Sequence, residues 1–311
     1  MKKVVRKTGD HGIGQMVHVV HMTDDVPELQ AFYENVFGGF VYLGVDEPTY
    51  LDVEDRYASL LMIGDLCVEV MAPKPPVNAT KPVGKFYTKY GRHLHSVGYK
   101  VDDLPGLAYR LIEKGVYVAK PGGGRLENPD AETMYFFPSP RDTAGLMVEL
   151  TKFDMPGDPR IEATWSSLAK LWRTHPLTIK RFSSVTLGVR DLDSAVKTYA
   201  DIMQGEPLRS GVDSELDAEY ITLRLGDCLL RIAEPRDESS DLGKHVARWG
   251  NMIYSLHFQV ADLGSASSWL DRHDVRTRRI SARTIVTDER DTFGAPIYFS
   301  TADTRENGDG A

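Results

Sequence analysis

Cysteine is nearly absent: Cys67 and Cys228 are the only two in 311 residues. That is too few for a disulfide framework or a thiolate metal cluster, and it makes a reducing cytoplasm the default expectation. Long hydrophobic runs are missing too, since no stretch approaches the ~18 uncharged apolar residues of a membrane span. The basic opening from Met1 to Lys7 gives way to Thr8-Gly9-Asp10-His11, where a secretory signal needs an apolar region, so export is not expected. Positive charge is also short. Lys and Arg number 37 against 45 Asp and Glu, a net charge of −8 without a Lys/Arg-rich run, which argues against a nucleic-acid partner. What is present, 41% hydrophobic and 26% charged residues, is a globular rather than a disordered composition. At roughly 100–200 residues per domain, the length accommodates two domains.

The chain repeats itself. Gly84-Lys85-Phe86-Tyr87-Thr88-Lys89-Tyr90-Gly91 recurs 159 residues later as Gly243-Lys244-His245-Val246-Ala247-Arg248-Trp249-Gly250, and the stretch Ser96 to Leu104 overlies Ser255 to Leu263 at the same offset. Upstream, Ile63-Gly64-Asp65 overlies Leu225-Gly226-Asp227, and Phe37-Gly38-Gly39 overlies Met203-Gln204-Gly205, with offsets drifting to 162 and 166 as small loop deletions accumulate. A finer repeat lies inside each copy. Four times an apolar strand runs into an acidic turn and then a helix: Val17 to Asp25, Leu94 to Asp103, Ser183 to Asp191 and Ile253 to Asp262. Each terminal Asp stands where a helix N-cap is expected.

After Asp25 the apolar positions Leu29, Phe32, Tyr33, Val36 and Phe37 follow a helical period, and Gly38-Gly39 stops the helix. Three strand-like runs follow, at Phe40–Leu43, 58–63 and 66–71, so the unit is βαβββ. The spans predicted are one domain over 13–153, a linker with one helix over 154–180, a second domain over 181–301 and a disordered tail over 302–311. The fold class is α+β.

Four βαβββ modules in two pairs resemble the vicinal oxygen chelate superfamily, which includes glyoxalase I, methylmalonyl-CoA epimerase and the extradiol ring-cleaving dioxygenases. The run Phe136 to Leu150, a proline-basic-small-glycine sequence leading into Val148-Glu149-Leu150, is similar to the closing hairpin of the epimerases and glyoxalases. The resemblance implies two tandem cupped, open barrels, each built from two modules with its site in the concavity.

It also implies that metal ligands come from the first and last strands of each module in a pair. In the first pair those positions offer His18, Glu69, His95 and Glu149. Strand alternation places Glu69 opposite Val68 and Val70, so this carboxylate either faces solvent or points into the barrel at a cation, because unpaired burial costs several kcal/mol. Glu149, between Val148 and Leu150, repeats the argument. At His95 the strand count favours Ser96 instead. A β-bulge near Gly98 would turn His95 inward, and His93 on the same face is the alternative. His21 falls on the face opposite His18, a structural or supporting position.

The second pair carries Ser184, Arg231, Tyr254 and Tyr298 at the four ligand positions, so no metal is expected there, and His257 reads as a packing or hydrogen-bonding residue. The resemblance implies one divalent ion (Zn, Fe, Mn, Co or Ni) in the first pair, polarising a substrate carbonyl while Glu149 or Glu69 moves a proton. The expected activity is that of a glyoxalase-like isomerase, epimerase or lyase on a small oxygenated carbonyl substrate. The alternatives are an Fe(II) extradiol-type dioxygenase and a metal-free binding protein of the bleomycin-resistance kind. The expected partner is a small-molecule substrate, with neither nucleic acid nor membrane, and a homodimer is allowed but not required.

Overall fold

The structure is a computed structural model that describes residues 5–163 and 165–302. The first module runs through β1 (Ile13–Met22), α1 (Val26–Phe37), β2 (Phe40–Leu43), a short extra strand β3 (Thr49–Leu51), β4 (Arg56–Ile63) and β5 (Leu66–Pro73). Helix α2 (Pro82–Tyr90) leads into the second: β6 (His93–Val101), α3 (Leu104–Glu113), β7 (Val118–Ala119), β8 (Tyr135–Pro138) and β9 (Met147–Thr151). A 3-10 turn at Pro159–Ile161 and helix α4 (Trp165–Thr174) connect to the third: β10 (Ile179–Gly188), α5 (Leu192–Lys197), β11 (Glu206–Asp213), β12 (Ala218–Leu225) and β13 (Cys228–Pro235). Helix α6 (Asp241–Trp249) precedes the fourth: β14 (Met252–Val260), α7 (Leu263–Asp271), β15 (Thr277–Arg279), β16 (Thr284–Thr287) and β17 (Ile297–Ser300). Strand β10 thus begins inside the segment read as linker. The expected disordered tail lies, from residue 303 on, outside the described residues.

The four acidic turns cap the four module helices. Asp25, Asp103, Asp191 and Asp262 accept the backbone N–H of Glu28, Gly106, Ser194 and Ser265 at 2.9, 3.0, 2.9 and 2.5 Å, a contact that stabilises a helix by about 1 kcal/mol. Helix α1 buries Leu29, Tyr33, Val36 and Phe37 and ends at Gly38, whose φ of 63° suits a residue without a Cβ.

The strands form two open sheets, one per module pair, and neither closes into a barrel. The first has the order β2-β4-β5-β1-β6-β9-β8-β7 with β3 beside β4, and the second the order β11-β12-β13-β10-β14-β17-β16-β15. In each sheet the first strands of two modules pair antiparallel at the centre, and the last strands flank them in parallel. This ordering sets β5, β1, β6 and β9 side by side, and with them Glu69, His18, His95 and Glu149.

One apolar core runs through both domains. Phe37 of α1 packs on Phe258 and Phe299 of the second sheet at ring distances of 6.1 and 6.0 Å. Each such buried ring contributes about 1.5–3 kcal/mol. Trp269 Nε1 donates to Val36 O at 2.7 Å, and Trp172 Nε1 donates to Gly38 O at 3.1 Å, which ties α7 and α4 to the end of α1. Among the described residues no helix is long and apolar enough to cross a membrane.

Candidate active site

The cup of the first sheet holds a cavity of about 440 Å³ whose lining includes Glu69, His95 and Glu149. His18 lies just beneath it, fully buried. Its Nδ1 stands 3.5 Å from a Glu69 oxygen and its Nε2 stands 3.6 Å from a Glu149 oxygen, yet neither ring nitrogen has a hydrogen-bond partner. Gly98 makes this placement achievable. It sits opposite His18 in the β1–β6 ladder and opposite Glu149 in the β6–β9 ladder, and a Cβ there would lie 2.7 Å from His18 Nε2.

His95 reaches the same cavity by a β-bulge, but not the one expected near Gly98. His21 pairs with Leu94 and Val20 with Ser96, so His95 is itself the extra residue of β6 and turns into the cup beside Ser96. The physical reason is register: the surplus residue must fall where the β1 partners skip, between Val20 and His21. Ser96 Oγ lies 2.8 Å from His95 Nδ1 and orients the ring. A second irregularity, between Met16 and His18, leaves carbonyls that a buried arginine of the linker takes up. Arg160 donates to Met16 O at 2.9 Å and to Val17 O at 2.7 Å while its Nε donates to Asp158 at 3.0 Å, fixing the strand just before His18.

The other two histidines lie elsewhere. His93 packs against His245 and Trp249 of the second domain at ring distances of 5.4 and 5.9 Å, away from the cavity. His21 is structural: it bonds Tyr33 Oη at 2.7 Å and Phe293 O at 2.9 Å, joining the two domains.

The structure adds a group that the sequence reading missed. Arg56, buried at the start of β4, donates from Nε to Glu54 at 2.5 Å and from NH1 to Glu69. Its signal was legible. The two-residue turn Gly64-Asp65 sets Ile63 opposite Leu66 and Leu60 opposite Glu69, and alternation then brings Arg56 to the inward face four residues before Leu60.

Electrostatics divide the two carboxylates. Burial alone would raise both, but the Arg56 guanidinium holds Glu69 below the usual range. Glu149 accepts no hydrogen bond among the described residues, and burial with the Glu69 charge nearby pushes it up to about 8. Burial also lowers His18 and takes His95 down to about 3, so both imidazoles are neutral and have the lone pairs a ligand needs.

The donor chemistry suits a divalent cation: two neutral imidazoles, one carboxylate free of partners and the second oxygen of Glu69. With Glu149 ionised, Glu54, Glu69, Glu149 and Arg56 leave two negative charges uncompensated, the charge of one divalent ion. The spacing is looser than a coordination shell, for among the described residues no group of three or more His, Cys, Asp or Glu stands close enough to hold an ion. Arg56 is the reason at Glu69, since a guanidinium occupies one carboxylate oxygen.

The second cup has the same backbone and different chemistry. Its ladders place Ser184 opposite His257, Thr186 opposite Arg231 and His257 opposite Tyr298, with the same bulge at Tyr254. Arg231 pairs with Asp213 at 2.6 Å. His257 bonds Thr186 and Ser255 at 3.0 and 2.9 Å and stacks on Tyr298 at 4.5 Å, the packing and hydrogen-bonding role its sequence context implies.

Comparison with known proteins agrees with this architecture. Over 98% of this chain and 95% of the other, the structure is similar to a triple mutant of 4-hydroxymandelate synthase from Streptomyces coelicolor, at a TM-score of 0.64 and 16% identity. The structure is also similar to methylmalonyl-CoA epimerase from Mycobacterium tuberculosis, with 24% identity, coverage of 41% of this chain and 89% of that one, and a TM-score of 0.37. No curated protein matches the chain. The family model of the Glyoxalase/Bleomycin resistance protein/Dioxygenase superfamily matches residues 15–150 and 181–298, and the chain belongs to that superfamily.

Proposed function

We propose that the first domain is the active one and that it is a divalent-metal-dependent lyase or isomerase acting on a small carbonyl compound with a neighbouring oxygen. The observation that carries this reading is the buried His18, with both ring nitrogens unpartnered between Glu69 and Glu149, beneath the cavity that these two carboxylates line. Two vacant nitrogens at zero exposure cost several kcal/mol unless something completes them. His18, His95 and Glu149 would hold the ion, with Glu69 contributing its second oxygen. Bound there, the ion supplies a Lewis acid that polarises the substrate carbonyl. Glu149 is the proton-transfer group, because it alone among the carboxylates has no competing partner and its affinity for a proton is tuned toward neutrality. Met71, Val83, Phe137 and Met147 give the cavity apolar walls that keep water from the reacting carbon.

One observation favours a second reading. Arg56 withdraws Glu69, and what remains is a two-histidine, one-carboxylate set, the ligand pattern of non-haem Fe(II) oxygenases. The test is elemental analysis of the purified protein beside His18→Ala and Glu149→Gln variants checked for folding. About one divalent ion per chain, lost in both variants, is expected. Metal that survives both substitutions, or no metal uptake at all, overturns the proposal. Isomerase or lyase turnover of 2-oxo and 2-hydroxy carbonyl compounds under argon distinguishes the first reading from oxygen consumption with Fe(II) and a catechol.

A further inference from the structure

The second domain keeps an open cup of about 500 Å³ between α6, β15, β16 and the turn after β16. It occupies the place of the first cup in the repeat, where Lys244 stands for Lys85, Tyr254 for His95 and Arg278 for Ala119. Its walls have become charged. Five cationic side chains line it against three acidic ones, in a chain whose net charge is −8. Three of those cations are already satisfied: Arg276 pairs with Asp291 at 2.6 Å, Arg290 with Asp288 at 2.5 Å, and Arg278 with Asp241.

Lys244 and Arg248 are different. They lie one turn apart on α6 and carry no ion pair within 4 Å among the described residues; Glu289 of the same cup lies within electrostatic reach of Arg248, which is also held 4.2 Å over the ring of Trp249. Beside them His245, only 7% exposed, lines the same cavity with its Nε2 unpartnered. Burial keeps this imidazole neutral. Tyr254 also lines the cup, its hydroxyl 3.2 Å from that of Tyr298. Two unpaired cations on one helical face, a buried imidazole without a partner and the absence of the ligand set of the first cup all describe a receptor for negative charge.

We infer that the cup of the second domain binds a small anionic metabolite through an oxyanion group, carboxylate or phosphate, with Lys244 and Arg248 as its charge partners and His245 Nε2 as its neutral hydrogen-bond partner. The site is separate from the first cavity and needs no metal. A cup of this volume is of the size that admits a small molecule.

The test is titration of the full-length protein with inorganic pyrophosphate and, separately, with citrate. Heat and the intrinsic tryptophan fluorescence, to which Trp249 contributes, are followed in chelator-containing buffer. Saturable binding is expected with at least one of the two, weakening with salt. It should weaken about tenfold or more in a Lys244→Gln/Arg248→Gln variant that melts like the parent. Binding should be unchanged in Glu149→Gln. Preference for pyrophosphate identifies a phosphate ester as the ligand class and preference for citrate a carboxylate. No saturable binding with either probe, or binding that the double variant leaves intact, overturns the inference. Should the double variant unfold, Lys244→Gln alone, which leaves the Arg248–Trp249 stack in place, supplies the same comparison.

Discussion

The two cups share a backbone and a bulge but solve one packing problem in opposite ways. In the first, β1 contributes an imidazole, His18, and β6 contributes the vacancy, Gly98. In the second, β10 contributes the small residue, Ser184, and β14 the imidazole, His257. The ring from β14 finds Thr186, Ser255 and Tyr298, while the ring from β1 finds no hydrogen-bond partner. The ion pairs are also inverted, with Arg56 on β4 reaching Glu69 in one cup and Arg231, at the Glu69 position, reaching Asp213 in the other. The contrast shows that the sheet itself requires no unsatisfied histidine at its centre. The imidazole at the centre of the second sheet is satisfied by its own neighbours, and the one at the centre of the first is not.

That contrast can be broken most forcefully at Arg56. Arg56→Met removes the cation from a buried acidic cluster and is expected to cost roughly 3–5 kcal/mol in chelated buffer, with added zinc or manganese restoring more stability than it gives the parent. Urea unfolding with and without metal reads this directly, and stability that ignores metal would mean that the cluster does not accept one.

Next in size is the pH dependence that Glu149 imposes. A carboxyl raised from 4.5 to about 8 in the folded state gives stability that is complete below the unfolded value and lost as pH rises through the folded one. The metal-free protein should therefore lose on the order of a few kcal/mol between about pH 4.5 and 8, and Glu149→Gln should flatten the profile. A profile unchanged by the substitution would show the carboxyl to be solvated.

Smaller still is Gly98→Ala. Its Cβ would press on His18 and should cost about 1–3 kcal/mol and weaken metal binding. Adding His18→Ser, the arrangement of the second cup, should recover the stability and not the binding. The smallest effect is expected in the second domain, where Tyr298→Phe loses one hydroxyl contact, about 0.5–1.5 kcal/mol, and leaves the metal content untouched.

Sequence patterns determined the modules and named the candidate site residues. Helix capping and periodicity are local, so Asp25, Asp103, Asp191 and Asp262 and the apolar face of α1 could be read directly. The repeat then assigned every strand to a place, and the resemblance implied His18, Glu69, His95 and Glu149 as a set that the sheet order brings around one cup. Tertiary structure decided what sequence spacing does not encode. The bulge that turns His95 falls at His95 itself, and a separate irregularity of β1 lies opposite Gly98, because register is a property of two strands together. Arg56 and Arg160 act across 13 and more than 140 residues, and only the folded register shows that the first competes for Glu69 while the second braces β1 before His18. Which imidazole is left without partners is likewise a matter of three dimensions, because hydrogen-bond satisfaction depends on the groups that packing brings within about 3 Å.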